Sequence, residues 1–276
     1  MPTDLPQQPV IAALREEWAR IDHLLGTLDD AEWSTPTCLP GWDVKAVVAH
    51  LIGTEMMLLG EPSPAIEVPE SSTHVRNDIG RFNEAWVVAL SDTSPAVVLE
   101  RFRSTVTRRL EMLDATTAQT WATVGFTPAG QDTYGRFMRI RVFDCWVHEQ
   151  DIRDAVGRPG GEDGPAAGLA IDEMAAVLGF VVGKKGGAPR GARVRIELTG
   201  PNARTVDVEV GERATVVEAL SGPPTLHVTM PIGVFARLGG GRVDPRSVRD
   251  EISIEGDGEL STELGERIIA NMAYTI

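Results

Sequence analysis

The run Gly157-Arg-Pro-Gly-Gly-Glu-Asp-Gly-Pro165 constrains what this chain can fold into more than any other stretch. Glycine and proline at that density end a helix and cannot form regular structure themselves. All six tryptophans fall before residue 147, and none after it. The chain therefore divides, and 276 residues suffice for two parts that each bury a core. The expected domains are residues 1–157 and residues 158–276.

The part before the run reads as helices. Leu14, Trp18, Ile21, Leu25 and Leu28 recur at spacings of 4, 3, 4 and 3, the apolar stripe of a bundle helix. A second helix starts after Pro40-Gly41, with Asp43 as its N-cap, and runs to about Gly60. The Pro- and Ser-rich stretch from Gly60 to about His74 is a loop. Further helices are expected over about 76–91 and 94–115. A loop with Thr127-Pro-Ala-Gly130 leads to a last helix from Asp132 or Thr133 to Val156, stopped by Gly157. This pattern is a four- or five-helix bundle.

Beyond the run the period changes. A helix over about 164–183 precedes four alternating segments: Val194, Ile196 and Leu198; Val206, Val208 and Val210; Leu226, Val228 and Met230; Ile252 and Ile254. With helices over about 231–239 and 259–272, this half is an α+β domain with a mostly antiparallel sheet.

Charge and composition exclude some partners. The net charge is −14 and no basic stripe interrupts it, which disfavours nucleic acid. The two cysteines, Cys38 and Cys145, fit free thiols in a reducing cytoplasm. The start, Met1-Pro-Thr-Asp-Leu-Pro, lacks a signal-peptide pattern, and no apolar run is expected to approach the ~18 residues of a membrane span. The expectation is a cytoplasmic monomer or homodimer that binds neither nucleic acid nor membrane.

Chemistry concentrates in two stretches. Asp144 and His148 are four residues apart and share a helix face. His50 on the second helix would complete a three-ligand set. Three protein ligands leave a fourth position open, as a catalytic metal needs. Ala46, Gly53 and Thr54, neighbours of His50 on its helix, are small and would clear space around the imidazole. Asp151 extends the same face of the last helix, either as an alternative ligand or as a partner orienting His148. Zinc suits mixed imidazole and carboxylate ligands, without excluding nickel, iron or manganese. The plainer reading is a packed His50 and an ordinary i, i+4 Asp–His pair. Cys145 projects off the ligand face and reads as core. Cys38 lies in a loop with no visible base partner. His23, His74 and His227 stand without company.

These residues are similar to those of a known family. Pro36-Thr-Cys-Leu-Pro-Gly-Trp-Asp-Val-Lys-Ala-Val-Val-Ala-His50, Val75-Arg-Asn-Asp-Ile-Gly80 with Asn83-Glu84, and Asp144-Cys-Trp-Val-His-Glu-Gln-Asp-Ile-Arg153 carry the likeness. It continues in Phe235-Ala-Arg-Leu-Gly-Gly-Gly-Arg242, Val243-Asp-Pro245 and Ile254-Glu-Gly-Asp257. The chain resembles the mycothiol-dependent maleylpyruvate isomerases of actinobacteria. The resemblance implies a DinB-like four-helix bundle followed by a smaller, sterol-carrier-like α+β domain. It implies a zinc held by His50, Asp144 and His148, with mycothiol as the thiol cofactor. Relatives with isomerase activity carry glutamate where this chain has the shorter Asp144. The family's C-terminal-domain arginine falls on Arg242, with Arg237 as the alternative.

The implied chemistry is thiol addition to a small electrophilic carboxylate such as maleylpyruvate, by an isomerase or an S-transferase. The same apparatus would serve a hydrolase using metal-bound water. The competing expectation is a non-catalytic metal-binding protein, its second domain holding an apolar ligand or a protein. There Asp151 would close the metal shell as a fourth ligand.

Overall fold

A computed structural model describes residues 2–274. The chain forms two compact units, one ending at Gly161 and the other starting at Glu162.

The first unit is helical. Its elements are α1 (Gln7–Leu25), α2 (Val44–Leu58), α3 (Asp78–Leu90), α4 (Pro95–Asp114), the short α5 (Ala118–Trp121), the strands β1 (Val124–Thr127) and β2 (Gly130–Thr133), and α6 (Tyr134–Val156). α2 is its centre, packing against α3, α4 and α6, while α1 packs on α4 and α6. The sequence dictates this place, because α2 is apolar around most of its circumference: Val44, Val47, Val48, Leu51 and Ile52 are all buried. Asp43 caps α2 by accepting the Ala46 N–H at 2.8 Å. Thr133 caps α6 by accepting the Arg136 N–H at 3.1 Å. Gly157 ends α6 in a left-handed conformation, φ 65°, and the Arg158 N–H then reaches the Arg153 carbonyl at 3.0 Å.

Two expectations change here. The residues around Thr127-Pro-Ala-Gly130 pair as an antiparallel hairpin, Val124 opposite Thr133. Its strands are four residues each, too short to show an alternation in sequence. The small residue Gly53 does not open space for a ligand. A Cβ there would meet the Trp86 ring at 2.5 Å, so the glycine admits α3 against α2 and the tryptophan fills the gap.

One buried pair links α1 to α6. Glu17 and Glu149 are fully buried. Arg153 approaches Glu149 at 2.7 Å and Arg20 at 3.8 Å. Both Glu17 oxygens lack a donor among the described residues. Burial, then the Glu149 charge, pushes the Glu17 carboxyl well above the usual range. Its native form thus binds a proton that the unfolded chain releases at lower pH, so stability falls as pH rises through that window. Glu17→Gln keeps a donor for Glu149 without the charge. Thermal melts should show the variant more stable than the parent at about pH 8 and nearly equal to it at about pH 5.

The second unit is α+β. It contains α7 (Gly164–Ala175), α8 (Leu178–Phe180), a π-helical turn at Val181–Lys185, β3 (Arg193–Thr199), β4 (Arg204–Val210), β5 (Ala214–Val217), β6 (Leu226–Pro231), α9 (Ile232–Gly239), a 3-10 turn at Pro245–Glu251, β7 (Ser253–Gly256) and α10 (Glu259–Ala270). The strand order is β5-β4-β3-β6-β7. The central β3–β6 pair is parallel; the other three pairings of this sheet are antiparallel. Ile196 lies opposite Val206 on one side and Val228 on the other, and all three are buried. α9 covers β6 and β3, and α10 covers β7 and β6.

The helix expected over 164–183 stops at Ala175 and resumes as a shorter, wider turn. β5 crosses that segment closely, since a Cβ at Gly179 would lie 2.8 Å from the Ala214 carbonyl oxygen. β5 itself escapes a sequence reading because this edge strand leaves Thr215 and Val216 exposed. The membrane expectation also needs correction. Gly164–Lys185 is long and apolar enough to cross a membrane by length and composition, yet 61% of its most apolar window is buried within the protein.

Candidate metal centre

Two helices bring the three expected ligands together. His50 comes from α2, and Asp144 and His148 from successive turns of α6. His50 Nε2 lies 3.3 Å from Asp144 Oδ2, and His148 Nε2 lies 3.8 Å from Asp144 Oδ1. One ligand atom from each residue falls within 4.8 Å of the others. Four ligands at about 2.0–2.1 Å in a tetrahedron stand roughly 3.3–3.4 Å apart. The His50–Asp144 separation is at that spacing, and the others, 3.8 Å and up to 4.8 Å, would close by about 0.5–1.5 Å around an ion. Two imidazoles and one carboxylate also form the donor set that zinc accepts. No other such group of three occurs among the described residues.

The electrostatics favour the metal-binding forms of His50 and Asp144. Burial holds the His50 imidazole below its ordinary pKa, against the pull of Asp144, so it is kept neutral. For Asp144, burial works to raise the pKa. Arg141 first, then His50 and His148, outweigh it and hold the carboxyl well below its usual range.

Behind Asp144 runs a buried chain of alternating charge. Arg141 Nη1 bonds Asp144 Oδ2. Arg141 Nε donates to Glu55 Oε1 at 2.8 Å, and Arg109 Nε donates to Glu55 Oε2 at 2.7 Å. Side-chain exposure is 1% for Glu55, 3% for Arg141 and 0% for Arg109, whereas Asp144 keeps 29%. The chain therefore ends at the one acidic ligand that solvent reaches. Cys145, packed beneath Arg141, is fully buried, and burial pushes its thiol up, far from the thiolate a ligand would need.

Trp42 forms a wall. Its ring lies 5.4 Å from the His50 ring and 6.5 Å from the His148 ring, centre to centre. The loop bearing it is folded by Gly41, whose φ is 81° and where a Cβ would meet the His74 ring at 2.9 Å. Trp42 Nε1 donates to Glu84 Oε2 at 2.9 Å. Glu84 also takes Ser72 Oγ–H at 2.8 Å and lies 2.9 Å from His74 Nε2. His74 is therefore not solitary, as its sequence surroundings suggested. It ties the Pro- and Ser-rich loop to the carboxylate that sets Trp42. His227 is likewise paired, with Glu197 at 3.0 Å across β3 and β6. A recess of about 600 Å³ is lined by Thr37, Cys38, Trp42, Lys45 and Leu90, among others.

Cys38 and Asp151 also fall into place. Asp151 Oδ2 is 2.9 Å from His148 Nδ1, the ring nitrogen away from Asp144. Its other oxygen takes the Cys38 Sγ–H at 3.3 Å. Cys38 thus does have a carboxylate partner. Glu55 and Arg109 are the residues sequence reading missed, each a charged side chain with no motif to mark it as buried; Glu84 stands in the sequence only as part of the family likeness, with no role assigned to it. Arg242 lies in the second unit, just after α9, where its Nη1 donates to the Gly240 carbonyl at 2.8 Å. The alternative, Arg237, is in the last turn of α9.

Known proteins share this arrangement of sequence. A family model described as the mycothiol maleylpyruvate isomerase N-terminal domain matches residues 14–153, and one described as the MDMPI C-terminal domain matches residues 168–261. The chain belongs to the mycothiol-dependent maleylpyruvate isomerase family. A crystal structure of the mycothiol-dependent maleylpyruvate isomerase has the same fold, with a TM-score of 0.59 and 18% identity, over 93% of this chain and 96% of that one. A crystal structure of a histidine-to-alanine mutant of that isomerase gives a TM-score of 0.58 at the same identity and coverage. Among curated sequences, "Uncharacterized protein Rv0036c" of Mycobacterium tuberculosis H37Rv is 28% identical over 152 residues, 54% of this chain. Its counterpart in strain CDC 1551, MT0041, matches equally. The match spans 57% of the length of these two relatives.

Proposed function

We propose that this family member is a metal-dependent, thiol-dependent enzyme, an isomerase or S-transferase acting on a small electrophilic carboxylate such as maleylpyruvate. Zinc is the proposed metal and mycothiol the proposed thiol. The observation that carries the reading is the convergence of His50, Asp144 and His148, two imidazoles and a carboxylate whose ligand atoms lie within 4.8 Å of one another. When bound there, the metal supplies a Lewis acid that favours the thiolate over the thiol at neutral pH.

The chain's own residues account for the rest. The neutral His50 and the ionised Asp144 are ready to bind without first losing a proton. Arg141 holds one carboxylate oxygen, so Asp144 is oriented from behind despite its short side chain. Trp42 stands beside both imidazoles, 5.4 Å from the His50 ring and 6.5 Å from the His148 ring. The recess beside Trp42 and Cys38 is within the size range of small-molecule sites. Arg242 is the proposed partner of the substrate carboxylate, for which a guanidinium offers two parallel donors.

The test loads purified protein with zinc and follows maleylpyruvate isomerisation with and without mycothiol. Activity that needs both additions, and that falls at least about tenfold in Arg242→Ala, supports the reading; tenfold corresponds to roughly 1.4 kcal/mol of transition-state stabilisation. A zinc-loaded protein that neither isomerises nor conjugates the thiol to any electrophilic acid leaves the non-catalytic metal-binding reading instead.

A further inference from the structure

The two imidazoles of the centre are held differently. His50 Nδ1 is buried and has no hydrogen-bond partner among the described residues. His148 Nδ1 faces Asp151 Oδ2 at 2.9 Å. The Asp151 side chain is 2% exposed, and its second carboxylate oxygen receives Cys38 Sγ–H.

We propose that Asp151 is a positioning residue that makes His148 the anchored ligand of the centre. The inference rests on the metal reading above. An ionised carboxylate only accepts hydrogen bonds. A neutral imidazole has one N–H, and Asp151 draws it to Nδ1. The lone pair is then left on Nε2, the nitrogen that faces Asp144 at 3.8 Å. A ligating imidazole backed by a carboxylate is fixed in tautomer and ring orientation and is a stronger donor. This also removes Asp151 from the fourth ligand position, because its carboxylate lies against Nδ1 on the far side of the ring. Cys38 completes the arrangement by donating to the oxygen that His148 does not use. His50 has no equivalent support, and its ring is kept by packing against Trp42.

The experiment titrates apo protein with cobalt(II) against a competing chelator, for the parent and for Asp151→Asn, Asp151→Ala, Cys38→Ser and His148→Ala. Asparagine keeps the shape of Asp151 without its charge. The expected result is one metal per chain in the parent and about 10- to 100-fold weaker binding in both Asp151 variants. Cys38→Ser, which keeps a donor, should bind like the parent, and His148→Ala should not bind. An Asp151→Asn variant that binds within about threefold of the parent, while His148→Ala does not bind, overturns the positioning role and leaves the metal site standing.

A second readout is independent of metal. In imidazole-15N-labelled apo protein at mildly alkaline pH, His148 should carry its proton on Nδ1. Asp151→Ala should show a mixture of tautomers. The same mixture in the parent overturns the proposal. A parent that binds no cobalt but shows the fixed tautomer sinks the metal reading while supporting Asp151 as the residue that orients His148.

Discussion

Replacing Glu55 with alanine should lower the thermal midpoint of the first unit by roughly 6–20 °C. The carboxylate sits between two guanidiniums, Arg109 at 2.7 Å and Arg141 at 2.8 Å, with all three side chains at 3% exposure or less. Removing one member of such a set leaves buried charge without a partner, which costs about 3–5 kcal/mol. For a unit of this size each kcal/mol moves the midpoint by roughly 2–4 °C. Tryptophan fluorescence isolates the effect, because all six tryptophans lie in this unit. A midpoint within about 2 °C of the parent would show that water or rearrangement compensates the two arginines. The set is not there for stability alone, since apolar residues of similar volume often pack as well or better. Its far end is Asp144, so Glu55→Ala should also weaken metal binding by releasing Arg141 from its alignment.

Zinc should stabilise the first unit strongly, and His50→Ala or His148→Ala should abolish that effect. A ligand that binds only the folded state at about 100 times its dissociation constant adds roughly 2.7 kcal/mol. This corresponds to a rise in midpoint of about 5–11 °C. The same fluorescence melt, run on apo protein with and without added zinc, measures it. Each variant's own apo melt is its baseline, because both imidazoles are buried and truncating either leaves a gap that costs stability by itself. Equal zinc-induced shifts in parent and variants would place the binding elsewhere and remove the basis for the proposed chemistry.

The bundle was legible because its signals are local. The stripe from Leu14 to Leu25 is the buried face of α1, and Val10 and Ile11 extend it one turn earlier than the spacing alone indicated. Leu28, read as its last member, falls beyond the helix end at Gly26 and is only half-buried. Asp43, Thr133 and Gly157 mark helix ends through their own side chain or backbone, so capping could be read directly. β3 and β6 show the alternation of strands with one buried face, whereas β4 alternates in sequence but buries Asp207 between Val206 and Val208, where Arg195 pairs with it at 2.8 Å. β5 and the β1–β2 hairpin do not, one being an exposed edge and the other too short. The candidate metal ligands stood out because Asp144 and His148 share a helix face, which needs only the 3.6-residue period. Glu55, Arg109 and Arg141 gave no such signal, and Glu84 showed only as a motif residue without a role. A charged residue is normally at the surface, and only a partner from another helix permits its burial.

Sequence by itself determined the two-part division, the helical and mixed halves, and the pair of stretches from which ligands could come. These follow from periodicity and from residues that end or cap elements, which act over a few positions. Tertiary structure alone decided that His50 meets the Asp144–His148 pair and that Gly53 serves Trp86. It also decided that Asp151 faces the far nitrogen of His148, and that Glu84 holds both Trp42 and the loop bearing His74. Each of these joins residues from different elements or fixes one side-chain rotamer. Distance and direction across a packed interface are set by how helices approach, which no local pattern encodes.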